Sequence, residues 1–172
     1  MSEENQTFVA VMMGSDSDLP LMQATLDILT GFGIRHEVRI LSAHRTPDDT
    51  HAYVRAADTR GCAVFIAAAG LAAHLAGTVA GITLKPVIGV PVEAGPLLGF
   101  DALLSTVQMP SGVPVATVAV GKAGAKNAAY LAAQILALGD SELAERLGEE
   151  RRSNAEVIRS KDAEVRKDQG RG

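Results

Sequence analysis

Four stretches of this chain are apolar almost without interruption: "FVAVMMG", "AVFIAAAG", "KPVIGVPV" and "VPVATVAV". A strand with one face in water alternates apolar and polar residues. A strand that does not alternate is covered on both faces, and such strands belong to parallel sheets. A fifth stretch, "IRHEVRILS", reads as a strand of more polar composition. Helical candidates lie between and after these runs, at 18–32, 46–60, 74–83, 97–107 and 123–138, and Gly, Pro or Ser marks each boundary. Alternating β and α elements imply a five-stranded parallel sheet with right-handed crossovers and helices on both faces, an α/β three-layer sandwich. A charged, helix-prone segment follows at about 141–165, and the closing "RKDQGRG" is expected to fray. With no linker and no internal repeat in sight, residues 1–172 are expected to form one domain with a core at about 8–140.

Composition narrows what this sheet can serve. Hydrophobic residues make up 47% of the 172, which excludes a disordered chain. Aromatics are only 3%, with no Trp, so the core must be built from Ala, Val, Leu and Ile. The net charge of −4 argues against a nucleic-acid partner but allows a local cationic pocket for a small anion. The single Cys62 lies in an apolar run and reads as a small buried hydrophobe. The acidic "MSEENQT" start is not expected to act as a secretory signal, and no apolar run approaches the roughly 20 residues that span a bilayer. A cytoplasmic protein without a membrane partner is the expectation.

In open parallel sheets, ligands sit beyond the carboxyl ends of the strands. Those ends here are "MGSDSD", "LSAHRTP", "AAAGLAAH", "GVPVEAG" and "VAVGKAGAKN". In the first, Ser15, Ser17 and Asp18 precede a helix, so they can be caps alone. They can equally form an anion site, with serines and helix amides taking a phosphate while an Asp accepts hydrogen bonds from ribose hydroxyls. The loop is not a Walker A sequence.

In the second, Thr46 can cap a helix that begins at Pro47, which would leave His44 as loop surface. The chemistry at hand is nevertheless that of a site. Arg45 is always charged and grips phosphate in a fork, and an imidazole such as His44 gives and takes protons near neutrality. His74 follows a Gly and two small residues that let a ligand or a second subunit come close. A structural role for His74 is as plausible as a functional one. His36 and His51 are expected to face solvent. The four histidines do not cluster in sequence as metal ligands do and no CxxC occurs, so no metal is expected.

Taken as an ordered set, "MGSDSD", "SAHRTP", "AAHLAG", "GVPVE", "VQMPSGVPVATVAVGKAGAKNAA" and "LAAQILAL" resemble the bacterial N5-carboxyaminoimidazole ribonucleotide mutases of purine biosynthesis, from about residue 8 to 150. The resemblance implies a flavodoxin-like fold. It implies a homo-octamer with active sites near subunit contacts; the 123–138 helix, which reads as too apolar all round for an exposed one, supports burial in such an assembly. It also implies conversion of N5-carboxyaminoimidazole ribonucleotide to 4-carboxy-5-aminoimidazole ribonucleotide without ATP, metal or organic cofactor. By motif, Ser15 and Arg45 resemble phosphate-site residues and Asp18 the ribose ligand. Ser42, Ala43 and His44 would line the reacting end, with His44 transferring protons. Gly70, Ala72, Ala73 and His74 would shape the pocket, and the loop from Gln108 to Pro114 would close over it.

Two positions depart from the family's usual pattern: Leu71 stands where a Gly is usual, and Ala76 where a Pro is. Leu71 is expected to narrow the pocket or to alter the backbone, because Gly reaches positive φ freely. Two rival readings are a carboxylase that takes CO₂ directly and a non-catalytic flavodoxin-like nucleotide-binding module.

Overall fold

The computed structural model describes residues 7–169. Their strands are β1 (Phe8–Met13), β2 (His36–Ile40), β3 (Cys62–Gly70), β4 (Val87–Val92) and β5 (Ala116–Thr117). All pair in parallel in the order β2-β1-β3-β4-β5, so the fold is flavodoxin-like. The chain steps from β1 outward to β2, then returns to the other side of β1 for β3. That reversal places a crevice at the carboxyl end of β1.

Every residue of β1 and of β4 is buried, as their unbroken hydrophobicity requires. On the edge strand β2, Val38 to Ile40 are exposed, which accounts for its more polar composition. The fifth run yields only a two-residue strand. The carbonyls of Gly89 and Pro91 face β5, accepting from Val118 N–H (3.1 Å) and Gly121 N–H (2.9 Å). In a strand, a residue's N–H and C=O point to the same side, so the N–H that Pro91 lacks is a missing rung, and the regular ladder stops after Gly89.

The helices are α1 (Leu19–Gly31), α2 (Pro47–Thr59), α3 (Leu75–Ala80), α4 (Phe100–Val107) and α5 (Lys122–Ala137). A 3-10 turn, Asp16–Asp18, precedes α1. Helix α4 begins three residues later than the sequence suggests, because Leu98 (φ 51°) and Gly99 (φ 86°) are both left-handed and cannot continue a helix. Helix α5 buries a stripe of Gly124, Ala125, Ala128, Ala129, Ala132 and Ala133. Its small residues permit a close approach: a Cβ on Gly124 would lie 1.6 Å from the Ala119 carbonyl oxygen. The buried hydroxyl of Thr25 on α1 donates to Ala125 O at 2.7 Å. The opposite face exposes Lys122, Lys126, Asn127 and Gln134, so α5 is one-sided rather than apolar all round.

The described residues up to 135 and those from 136 onward form two compact units. In the second, α6 (Ser141–Gln169) is capped by Asp140, whose carboxylate accepts from Leu143 N–H at 3.0 Å. It extends beyond the expected end at 165 and carries exposed ion pairs, Arg159–Glu156 and Arg166–Asp162. Among the described residues, no helix is long and apolar enough to cross a membrane.

Candidate active site

The carboxyl ends of β1, β2, β3 and β4 surround a cavity of about 470 Å³. It is lined by Gly14, Ser15, Ser17 and Asp18 after β1, and by Ser42 to Arg45 after β2. Gly70, Leu71, Ala72 and His74 line it at the end of β3, and Ala94 after β4. The volume lies in the usual range for small-molecule sites.

Each wall has a local cause. Ser15 ends β1 in an extended conformation and caps the 3-10 turn by accepting weakly from Ser17 N–H at 3.4 Å. Asp18 is the one acidic residue of that turn that is buried, at 8% exposure. Burial pushes its carboxyl above the ordinary range, and the repulsion of Asp16 adds to this. Hydrogen bonding to Ser15 and Ser17 and the charge of Arg45 oppose the shift without cancelling it.

After β2, Ser42 organises the loop. Its Oγ accepts from Arg45 N–H (3.1 Å) and from Arg45 Nε–H (3.4 Å), while its own N–H donates to Thr46 Oγ1 (3.0 Å). Thr46 therefore turns its hydroxyl back to Ser42 instead of capping α2 with it. The Arg45 guanidinium crosses to β1, where Nη2 donates to Gly14 O at 2.6 Å.

His44 and His74 meet over the end of β1. Their strands are not neighbours: β1 lies between β2 and β3, which places them roughly 10 Å apart. His44 Nε2 nevertheless stands 2.7 Å from His74 Nδ1, with the rings edge to face at 85°. One nitrogen must donate and the other accept, so the tautomers of the two rings are coupled. His74 occupies the N-cap position of α3 but makes no side-chain capping bond, which leaves its ring for His44.

Of the expected site residues, all but Ala73 line the cavity. Ala73 is 1% exposed and faces inward, and its N–H donates to Ser105 Oγ on α4 at 3.0 Å. The loop from Gln108 to Pro114 does not close over the cavity of its own chain. It leads into β5, and in a parallel sheet the segment entering a strand lies at the amino edge, opposite the site. Gly112 and Pro114 instead line a second cavity with Thr83 to Val87. His51 is exposed, whereas His36 is half-buried with Nδ1 2.9 Å from Ile34 O. Burial pushes the thiol of Cys62 up to about 11, which suits its reading as a packing residue. The signal that sequence reasoning missed is Ser105, an ordinary helix serine by pattern.

Comparison with known proteins decides the family. The AIR carboxylase family matches residues 8–157. The chain belongs to the AIR carboxylase family. An N5-carboxyaminoimidazole ribonucleotide mutase of Escherichia coli (strain K12) is 49% identical over 157 residues, covering 91% of this chain and 93% of that protein. Its counterpart in Thermotoga maritima is 54% identical over 151 residues, 87% of each. The crystal structure of Treponema denticola PurE superposes with a TM-score of 0.84 at 32% identity, covering 92% of this chain and 98% of that one.

Against the family pattern, Leu71 takes the backbone that a Gly would take without cost: its φ is 55°, in the left-handed region. Its half-exposed side chain lies over Gly95, where a Cβ would come within 2.6 Å of Leu71 Cδ2. Leu71 thus narrows the cavity mouth, and Gly95 leaves it room. Ala76 is buried in the core, so that departure lies outside the cavity.

Proposed function

We propose that this AIR carboxylase family member is an N5-carboxyaminoimidazole ribonucleotide mutase, moving a carboxyl group from the exocyclic nitrogen of its substrate to the ring carbon. Relatives of that name share about half of its residues over nearly their whole length. The observation that carries the residue assignment is the convergence of four strand ends on one cavity in which two imidazoles touch.

In this reading the nucleotide phosphate lies against Ser15, Ser17 and Arg45, where a guanidinium, hydroxyls and the amides of the turn converge. The ribose hydroxyls donate to Asp18. A buried carboxylate whose own donors do not cancel its desolvation gains from such further bonds. The base then reaches Ser42, Ala43, His44, Gly70 and Ala72. Cleavage of the N–CO₂ bond leaves the electron pair on nitrogen, which takes a proton from His44. The electron-rich ring carbon attacks the released CO₂ and forms the C–C bond. Neutral His44 then removes the proton from that carbon, so His44 ends as it began and the net change is an isomerisation. Holding CO₂ against the small walls of Gly70 and Ala72 makes its recapture effectively intramolecular. His74 holds the His44 ring in place. No step calls on a cofactor.

A homo-oligomer, an octamer by family resemblance, fits two features. Leu97, Leu98 and Phe100 are exposed beside Leu104 and Val107 on α4. Closure of the cavity by a Gln108–Pro114 loop would have to come from another copy. The test of the catalytic assignment is His44→Asn. It is expected to fold and assemble normally while turnover falls by about 10²–10⁴-fold, the usual contribution of general acid–base catalysis. Near-wild-type turnover would remove His44 from the chemistry.

A further inference from the structure

The geometry points to Ser105 as a positioning residue, one that sets His74 against His44 through the backbone of the Leu71–His74 turn. The inference rests on the reading of that histidine pair as the reacting end of the site.

The turn has few supports of its own. It opens on Leu71 in the left-handed region, a conformation that strains a non-glycine residue. Its only internal backbone bond is a tight one, His74 N–H to Ala72 O at 2.9 Å. Between these two residues lies Ala73, buried at 1%, whose N–H has to find a partner inside the protein. That partner is Ser105 Oγ at 3.0 Å, reaching across from α4. The hydroxyl is fixed in turn: it donates to Asp101 O at 2.7 Å and lies 3.3 Å from Ala102 O. One hydroxyl therefore joins α4 to the residue next to His74, and His74 Nδ1 stands 2.7 Å from His44 Nε2. Ser105 does not line the cavity, so it acts through His74 and not on the substrate.

Removing the hydroxyl orphans the Ala73 amide and frees the turn to relax from its strained start. Threonine at 105 keeps the hydroxyl, and α4 already accommodates that arrangement at the next position, where Thr106 Oγ1 donates to Ala102 O at 2.7 Å.

The test uses the full-length protein with its four histidines ¹⁵N-labelled. Imidazole spectra are recorded without substrate, beside steady-state kinetics. Ser105→Ala is expected to abolish the hydrogen-bonded nitrogen signature of the pair. It should lower kcat by about tenfold to a hundredfold, with KM little changed, because the displaced group is at the reacting end. Ser105→Thr is expected to retain both. Should the alanine variant fail to fold, Ser105→Cys, of similar size and a weak hydrogen-bonding group, is read the same way. An intact histidine signature in Ser105→Ala (or in Ser105→Cys, if that variant is the one read), or its loss in Ser105→Thr, overturns the assignment. Because the spectra need no substrate, an absence of mutase turnover in the wild type would sink the proposed function and leave this result readable.

Discussion

Replacing Asp18 by Asn should make the unliganded protein more stable and the liganded one weaker. Asp18 is 8% exposed, and its one side-chain hydrogen-bond donor, Ser17 Oγ, stands 3.5 Å away, at the limit of a useful bond. Burial raises its pKa above the ordinary 3.8, so folding favours the protonated form. The sign follows by linkage: stability associated with the proton is fully present below the ordinary value and is lost as pH rises through the folded value. At neutral pH the ionised group is therefore a net cost, which an isosteric amide removes. Relief of an unfavourable functional-site residue typically gives about 0.5–2 kcal/mol. At this chain length each kcal/mol moves Tm by about 2–4 °C. Asp18→Asn should melt a few degrees above wild type at pH 7.5, and the gap should shrink as pH falls toward 4. Losing charge-assisted bonds of about 1.5–3 kcal/mol to the ribose should weaken product-nucleotide binding by about tenfold to a hundredfold. Calorimetric scans at matched protomer concentration, together with titration of the nucleotide, measure both. A lower Tm at pH 7.5, or unchanged affinity, would refute the reasoning.

Arg45→Ala should raise KM by about tenfold or more while kcat changes less, since Arg45 is assigned to the phosphate; Arg45→Lys should restore little, because a point charge cannot replace the guanidinium fork. Steady-state kinetics on the two variants decide this. Gly89→Ala should destabilise by about 1–3 kcal/mol, because its Cβ would lie 2.3 Å from Thr106 Cγ2 and 2.9 Å from Val115 Cγ1. Adding Thr106→Ser removes the nearer methyl and should recover part of that loss in urea melts; no recovery would mean that the strain lies elsewhere.

The sheet was legible because a parallel strand covered on both faces leaves an unmistakable mark, as β1, β3 and β4 show. The strand-end rule then located most of the cavity without reference to any relative. What escaped was longer in range. The His44–His74 contact depends on β1 lying between their two strands, an arrangement of the sheet and not of neighbouring residues. Ser105 belongs to the site only through the buried amide of Ala73, which no pattern on α4 announces. The shortening of β5 follows from which side of β4 the missing N–H of Pro91 faces. Motif resemblance gives the Gln108–Pro114 loop a closing role, yet the direction of β5 sends it to the far edge of its own sheet. Leu71 was the one departure whose backbone consequence could be anticipated, since positive φ is what a Gly at that position permits.

The source of the carboxylate tests the central claim most directly. A mutase retains the CO₂ released from nitrogen within the cavity long enough for the ring carbon to recapture it, whereas a direct carboxylase draws CO₂ from solution. Substrate labelled in its carbamate carbon and turned over in unlabelled bicarbonate is expected to give a product that keeps most of its label. Unmodified aminoimidazole ribonucleotide is expected to react only at high bicarbonate. Complete loss of the label, or efficient carboxylation of the simple nucleotide at low bicarbonate, would contradict the account.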